Sequence, residues 1–217
     1  MMRLLFMILM AGCLLSCKEN KTATTIQQRL PFYNTADFTP HWFNDSSHTA
    51  DSVHLISSFS FIDQNGKNIS EKTFDHKIYV ADFFFTSCPG ICKTLTNNLK
   101  LVQEVFANDD DVLILSHSVT PDIDNVAKLK LYAKNFHVKD DKWHLVTGNK
   151  NAIYTIARQS YFADEDLGEQ KDVNDFLHTE NILLIDKHRR IRGVYKGTSV
   201  LQVNDLIKDI KTLELEQ

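Results

Sequence analysis

The sequence lacks an excess of charge of either sign and contains little glycine or proline. Its 28 acidic residues nearly balance its 24 basic residues, and both signs are mixed along the chain. Such a balance gives no electrostatic reason to expect nucleic acid, or an anionic membrane surface, as a partner. Seven Gly and four Pro among 217 residues exclude a collagen-like or low-complexity chain. Because 43% of the residues are hydrophobic, most of the chain can fold around a core as one domain.

The sequence also lacks a hydrophobic run that is long enough to cross a bilayer. The apolar run at residues 4–15, which follows the positive charge of Arg3, is shorter than the ~20 residues that span a membrane but suits a secretory signal. It ends in Leu-Leu-Ser-Cys at positions 14–17, which resembles a bacterial lipobox. We therefore predict a signal peptide over residues 1–16 and an exported lipoprotein, anchored to the membrane through a diacylated Cys17. The protein would face the periplasm or the outside of the cytoplasmic membrane. A lipobox ending at Cys13 and an ordinary cleaved signal are the alternatives.

Methionine and cysteine are scarce, and most of them lie in this N-terminal segment. All four Met and two of the four Cys fall within the first seventeen residues. Beyond Cys17, the mature chain therefore contains no Met and only two cysteines, Cys88 and Cys92. Any soft-metal or redox chemistry of the folded part has to use this pair.

The mature chain divides into a polar N-terminal segment and one α/β domain. Residues 17–50 are predicted to hold the lipidated Cys17, a tether and an irregular segment, and residues 51–217 the domain. Alternating residues at 59–63 with a turn at 64–67 predict a β-hairpin at the start of the domain.

The rest of the domain alternates between strand and helix patterns. The continuous apolar run at 78–85 predicts a strand that is buried on both faces. Further strands are predicted at 112–115, 143–148, 181–186 and 191–195, and helices after the cysteines, from Pro121, at 149–160 and at 200–213. This order predicts a mixed central sheet with helices on both faces.

The two cysteines lie in Cys88-Pro89-Gly90-Ile91-Cys92, where the buried strand gives way to a helix. A helix N-terminus stabilises negative charge and so favours a thiolate over a thiol. Residues four apart on a helix have Cβ atoms ~5–6 Å apart, whereas a disulfide needs about 3.8 Å. The spacing therefore suits a metal bridging two sulfurs somewhat better than a disulfide, and both stay open if Cys88 lies in the loop ahead of the helix. A structural zinc site is not favoured, because the sequence has no second pair of ligands.

Two thiolates select a soft ion, for which Cu(I) is the natural candidate. A third donor would complete its shell, and with no Met in the mature chain we expect one of the nine His. His178 stands out because it closes an acidic stretch at 163–175 and precedes the strand at 181–186, whose start can lie opposite the cysteine pair. His117 and His144 lie beside strands and stay open as alternatives. The other six are better explained as surface or core residues.

The order of these segments resembles the Sco/SenC family, the membrane-anchored, thioredoxin-like copper proteins that assist the assembly of cytochrome c oxidase. The resemblance covers roughly residues 55–213. It rests on the apolar strand that runs into Cys88-Pro89-Gly90-Ile91-Cys92, followed by Ser118-Val119-Thr120-Pro121-Asp122, Trp143-His144-Leu145-Val146-Thr147-Gly148 and Phe176-Leu177-His178-Thr179.

The resemblance implies a thioredoxin-like fold and one copper ion per chain, bound as Cu(I) or Cu(II) by Cys88, Cys92 and His178. It implies a metallochaperone for the copper centre of cytochrome c oxidase, with oxidase subunit two or another copper protein as client. Two positions depart from the family pattern, namely Lys93 where Pro is frequent and Thr120 where Asp is common. Neither departure changes a ligand, but a cation beside the site could alter copper affinity or partner choice.

Other classes of protein were weighed against this interpretation. A thioredoxin-type oxidoreductase would carry CxxC and a facing Pro, but the spacer here has three residues and no Pro follows Pro121. A peroxiredoxin expects Pro, and Thr or Ser, where this chain has Ala81 and Phe85. A reductase that keeps the oxidase copper-site cysteines reduced would use Cys88 and Cys92 as its redox pair, and the sequence does not separate it from a metallochaperone. A copper-sensing or redox-sensing lipoprotein is a further alternative.

Overall fold

A computed structural model of the protein describes residues 29–43, 53–163 and 179–216. The predicted signal peptide, the predicted lipidation site Cys17 and the predicted copper ligand His178 lie outside the described residues. In the described ranges, no helix combines the length and the apolar character that crossing a membrane requires.

Nine strands and four helices make up the described part of the chain. The strands are β1 (Phe32–Tyr33), β2 (Pro40–His41), β3 (Ser60–Asp63), β4 (Asn68–Ser70), β5 (Ile78–Phe84), β6 (Val112–Ser118), β7 (Trp143–Thr147), β8 (Asn181–Ile185) and β9 (Ile191–Lys196). The helices are α1 (Ile91–Val105), α2 (Val126–Phe136), α3 (Lys150–Gln159) and α4 (Val200–Leu215), and a 3-10 turn covers Glu71–Phe74.

Seven of the strands form one mixed sheet in the order β4-β3-β7-β6-β5-β8-β9. The three central strands β5, β6 and β7 are parallel. The hairpin of β3 and β4 joins one side and that of β8 and β9 the other, both antiparallel to their neighbours. The mixed sheet predicted from the order of strand and helix patterns is confirmed.

Both faces of this sheet are covered, as the continuous apolar run of β5 predicts. All seven residues of β5 are buried, and successive side chains alternate between two cores. Val80 belongs to a core that contains Leu95 of α1 and Leu206 of α4. Ala81 belongs to a second core that contains Ile153 of α3. The helices on both faces are thus confirmed.

The predicted hairpin at the start of the domain is formed by β3 and β4. Asp63 holds its turn by accepting the backbone N–H groups of Asn65 and Lys67 at 2.8 and 2.9 Å. Gly66 has a φ of +75°, in the left-handed region that glycine adopts without a steric penalty. The turn at 64–67 is therefore where the sequence analysis expected it.

The N-terminal segment contains two short strands that the sequence analysis did not predict. β1 and β2 pair with Phe32 opposite His41. The buried Arg192 holds this segment, because its guanidinium donates to the carbonyl oxygens of Leu30 and Pro31 at 2.7 and 3.0 Å. The guanidinium carbon also lies 4.1 Å from the centroid of the Phe32 ring. These partners are 161 and 162 positions apart in sequence, which is why a local pattern does not reveal them.

His117 of β6 is fully buried among aromatic rings. Its ring centroid lies 4.9 Å from that of Phe83, 5.4 Å from Tyr161 and 5.6 Å from Phe61. Neither ring nitrogen has a hydrogen-bond partner within the described part of the chain. Burial penalises the charged imidazolium and lowers the pKa of His117 to about 3. The imidazole is therefore neutral at physiological pH and behaves as a member of the aromatic core.

We predict that His117→Phe stabilises the protein increasingly as the pH falls. An unfolded histidine has a pKa of about 6.5, so below that pH the unfolded chain binds a proton that the folded protein does not. The wild type therefore loses stability as the pH falls from about 6.5 towards 3. The free energy of unfolding of the variant, relative to wild type, should rise by up to ~1.4 kcal/mol per pH unit in this range. Urea unfolding at pH 7, 6, 5 and 4 measures it.

Asp82→Asn is the matched control, because its expected pH dependence has the opposite sign. Asp82 of β5 is fully buried, and burial raises its pKa to about 7 although Ser116 donates a hydroxyl to it. Stability that depends on the protonated carboxyl is lost as the pH rises from about 4 to 7, so this variant should gain on wild type in that direction. A pH-independent difference for His117→Phe would contradict the proposed burial penalty.

Candidate metal centre

The cysteine pair lies at the junction between β5 and α1, as the sequence analysis predicted. β5 ends at Phe84 and α1 begins at Ile91, so that Cys88 lies in the connecting loop and Cys92 in the first turn of the helix. Both are free thiols, and they are 8% and 6% exposed. Because Cys88 precedes the helix, the fixed separation of two residues on a helix face does not apply. Both a bridging metal and a disulfide are therefore compatible with the backbone.

The surroundings of Cys88 favour its thiolate. Burial opposes ionisation of the Cys88 thiol. The thiol and backbone N–H of Cys92 and the backbone N–H of Gly90 donate hydrogen bonds to its sulfur, and Lys93 adds a nearby positive charge. Together these interactions outweigh the effect of burial. These groups hold the pKa of Cys88 below that of an ordinary thiol. The cation at position 93, where the family pattern has Pro, therefore acts directly on the site.

Cys92 has the opposite tendency, and the pair is asymmetric. Burial and the neighbouring sulfur of Cys88 raise the pKa of Cys92 well above that of an ordinary thiol, and the buried Asp82 contributes in the same direction. Thr96 fixes the backbone here, because its hydroxyl donates to the Cys92 carbonyl at 2.8 Å and lies 2.7 Å from the Tyr132 hydroxyl. Cys88 is thus the more readily ionised of the two, and the thiol of Cys92, which donates a hydrogen bond to the Cys88 sulfur, is the less readily ionised.

A pocket of about 230 Å³ opens next to the two sulfurs. Its walls are mostly apolar and come from the end of β5, the cysteine loop, the end of β6 and the start of β8. They are formed by Phe83, Phe85, Cys88, Pro89, Gly90, Ile91, Cys92, Val119 and Thr179. Because β8 runs antiparallel to β5, its first residues lie at the end of the sheet that carries the cysteines. Thr179, two residues before β8, lines this pocket together with the two cysteines.

Neither His117 nor His144, the two alternatives to His178, lines this pocket. His117 is enclosed in the aromatic core described above. His144 of β7 lies 3.3 Å from the carboxylate of Asp63, which belongs to the β3–β4 hairpin. Among the described residues, no cluster of three or more His, Cys, Asp or Glu could hold a metal ion. The described part of the site therefore consists of the two thiols.

A buried carboxylate, which the sequence analysis did not single out, is hydrogen-bonded to the cysteine loop. Asp124 is fully buried and accepts both the backbone N–H of Thr86, at 3.0 Å, and the Thr86 hydroxyl, at 2.5 Å. Its second set of donors comes from the end of β6, where the hydroxyls of Ser118 and Thr120 lie 2.7 and 3.0 Å away. Thr120, the second departure from the family pattern, is thus one of the donors to this carboxylate.

The segment that holds Asp124 is a turn, and the helix predicted from Pro121 begins later. The backbone N–H of Asp124 donates to the carbonyl of Thr120 at 2.8 Å, and α2 begins at Val126 with Asn125 as its N-cap. The prediction of a helix from Pro121 was therefore wrong by five positions. Two hydroxyl residues shortly before an acid were the sequence signal for this network, but nothing local indicated that the acid turns inward.

Comparison with known proteins identifies relatives that match this chain over most of its length. The family model for SCO1/SenC matches residues 47–214. A SCO1 protein homolog of Bacillus subtilis (strain 168) is 30% identical over 159 residues, which cover 72% of this chain and 81% of that protein.

Solved structures agree with this result. A SCO1/SenC family lipoprotein from Bacillus anthracis str. Ames has a TM-score of 0.64 and 28% identity, over 77% of this chain and 98% of that one. BsSco, described as a member of the Sco family of cytochrome c oxidase assembly proteins with a disulfide switch, has a TM-score of 0.63 and 26% identity, over 76% and 96%. Bradyrhizobium japonicum ScoI with copper bound has a TM-score of 0.59 and 26% identity, over 73% and 99%. The predicted thioredoxin-like fold is confirmed, and the chain belongs to the SCO1/SenC family.

Proposed function

We propose that this chain binds one copper ion through Cys88, Cys92 and His178 and passes it to the copper centre of cytochrome c oxidase. The observation that carries the proposal is the pair of buried thiols, one of them with a lowered pKa, beside a pocket that Thr179 also lines. Two thiolates suit Cu(I), and an imidazole nitrogen suits Cu(II) in addition. The copper-bound relative from Bradyrhizobium japonicum and the oxidase assembly role stated for BsSco support it.

The asymmetry of the two thiols gives binding a defined order. Cys88 has the lower pKa and offers the first thiolate. The thiol of Cys92 donates a hydrogen bond to the sulfur of Cys88, and a bound cation would replace the proton of this thiol. Two thiolates around Cu(I) leave a net charge of −1, which Lys93 and the N-terminus of α1 partly offset. Binding therefore releases protons, and the affinity rises with pH.

A thiol–disulfide reductase acting on the cysteines of the client is the second candidate function. The same asymmetry favours it, because the Cys88 thiolate can attack a disulfide of the client and form a mixed disulfide with it. The Cys92 sulfur then attacks Cys88 and releases the client thiol. The client disulfide gains two electrons and becomes two thiols, with one proton from Cys92 and one from water, while Cys88 and Cys92 become a disulfide. The disulfide switch described for BsSco supports this alternative.

The proposed location is the outer face of the cytoplasmic membrane, with Cys17 as the lipid anchor. The apolar run at 4–15 and the Leu-Leu-Ser-Cys sequence before the polar segment support it. The relative from Bacillus anthracis is a lipoprotein of the same family. Such a tether would keep the copper site close to a membrane-bound oxidase.

Cys88→Ser and Cys92→Ser should each abolish tight Cu(I) binding, because one thiolate cannot replace two. The purified wild-type protein should bind about one Cu(I) per chain in a competition titration with a Cu(I) chelator. Ser87→Ala, an exposed neighbour without a thiol, is the matched control and should bind like the wild type. Nearly unchanged binding by either serine variant would mean that the site lies elsewhere. Rapid reduction of a generic disulfide by wild-type protein that binds no copper would favour the reductase.

His178→Ala should weaken Cu(II) binding more than Cu(I) binding, since two thiolates can hold Cu(I) whereas Cu(II) favours an added nitrogen. The stability of the metal-free protein should change little, because a ligand at an open site has no buried partner to lose. Copper affinities in both oxidation states and the unfolding midpoint of the metal-free variant measure the two effects. His188→Ala, in the exposed turn between β8 and β9, is the control. A destabilisation of roughly 1–3 kcal/mol with unchanged Cu(II) affinity would instead indicate a structural histidine.

Cys17→Ala should release the protein from the membrane fraction, because it removes the only proposed site of acylation. The released protein should still bind copper, since the binding residues are unchanged. Cell fractionation with metabolic labelling by a fatty acid measures both the location and the acylation. Cys13→Ala is the matched control and should stay in the membrane. Continued acylation of the Cys17 variant would show that another residue carries the lipid.

A further inference from the structure

The loop that carries Cys88 has few constraints of its own. Gly90 is the N-cap of α1, and no side chain of the loop caps that helix. Pro89 and Gly90 are exposed. The backbone N–H of Cys88 donates to the carbonyl of Phe85 at a long 3.3 Å. The Cys88 sulfur accepts hydrogen bonds from Cys92 and Gly90, and the first residues of the loop set how it is presented to these donors.

Asp124 holds this loop at Thr86, two residues before Cys88. It accepts the backbone N–H and the hydroxyl of Thr86 on different carboxylate oxygens. The same carboxylate accepts the hydroxyls of Ser118 and Thr120, which belong to the end of β6 and the turn after it. Asp124 therefore joins the cysteine loop to the neighbouring parallel strand.

The hydrogen bonds of Asp124 match what a buried carboxylate requires. A carboxylate offers about four acceptor sites, and four donors converge on the two oxygens. No ion pair of the described residues includes Asp124. A buried carboxylate lowers the stability of the fold unless its acceptor sites are filled. The four donors therefore hold Asp124 in place, and Asp124 in turn fixes Thr86 in one arrangement.

We propose that Asp124 is a positioning residue for the thiol pair: by fixing Thr86 it sets the position of the Cys88 sulfur against Cys92. The inference rests on the proposed function, in which these sulfurs bind copper. Residues that orient the ligands of a metal without touching it typically change its affinity about 10–100-fold when they are replaced. A change of this size in Cu(I) affinity distinguishes positioning of the sulfurs from general support of the fold.

The test compares Cu(I) affinity in full-length Asp124→Ala and Asp124→Asn. The alanine variant loses all four bonds and should bind Cu(I) about 10–100-fold more weakly than wild type. The asparagine variant should stay close to wild type. Its amide oxygen can accept the three bonds that reach one oxygen of Asp124, and its amide nitrogen can donate to the Thr86 hydroxyl.

Asp63→Ala is the matched control for a loss of a buried carboxylate. Asp63 is also fully buried and accepts two backbone N–H groups, but it lies in the β3–β4 hairpin. β7 and β6 separate that hairpin from β5. The control should lose stability and keep its Cu(I) affinity. An equal loss of affinity in the control, or wild-type affinity in a folded Asp124→Ala, would overturn the proposal.

If Asp124→Ala does not fold, the Cu(I) affinity of Thr86→Val tests the same proposal. Valine has the shape of threonine and removes only the hydroxyl bond to Asp124, while the backbone N–H bond stays. A measurable loss of Cu(I) affinity in this variant supports positioning by Asp124. An affinity equal to that of the wild type overturns it.

A metal-free measurement separates failure of this proposal from failure of the proposed function. In a glutathione buffer, oxidised glutathione takes two electrons from the Cys88 and Cys92 thiols, which gives their disulfide and two reduced glutathione molecules. A loosened loop lowers the effective concentration of one sulfur near the other, so Asp124→Ala should shift this equilibrium towards the dithiol, unlike Asp63→Ala. An unchanged equilibrium overturns the positioning role. A wild-type protein that binds no Cu(I) overturns the proposed function instead.

Discussion

The junction between β5 and α1 is the constraint on which the site depends. All seven residues of β5 are buried, and β6 and β8 pair with it on both sides. The carboxyl end of this strand is therefore fixed in the middle of the molecule. The helix that follows is held separately, since Asn98 of α1 donates to the carbonyl of Gly197 beside α4 at 2.8 Å. The two sulfurs belong to different elements, and the six residues between strand and helix decide where they meet.

Two polar groups in the core near this junction, Asp82 and His117, give contributions to stability that depend on pH in opposite directions. On the α1 side of β5, Asp82 accepts the hydroxyl of Ser116, which in turn accepts the indole N–H of Trp143 at 2.7 Å. On the other side of the sheet, His117 lies among the aromatic rings of Phe61, Phe83 and Tyr161. Burial favours the neutral form of each group. Because one loses stability with rising pH and the other with falling pH, their contributions partly cancel between about pH 4 and 6.5.

Elements with a strong local signal could be predicted from the sequence, whereas those held by distant partners could not. The apolar run of β5, the turn around Gly66 and the position of the cysteines ahead of α1 each follow from a few adjacent residues. The segment of β1 and β2 depends on Arg192, and the turn before α2 depends on Thr86, 38 positions from Asp124. In the site, residue types and spacing were sufficient to indicate the thiols. The inward turn of Asp124 depends on tertiary hydrogen bonds that no periodicity expresses.

Copper transfer and thiol reduction make the same demand on this fold, which explains why one pair of cysteines is compatible with both. Each reaction needs one sulfur that is already ionised and a second that gives up its proton at the moment of exchange. The structure makes the two sulfurs unequal through position: despite its burial, Cys88 has a lowered pKa because of hydrogen-bond donors at the start of α1, whereas burial in the first turn of α1 raises the pKa of Cys92. The positive charge of Lys93, which is exposed, also lowers the pKa of Cys88. Under the proposed function, the choice between the two reactions depends on what the client brings to the pocket, a copper-free dithiol or a disulfide.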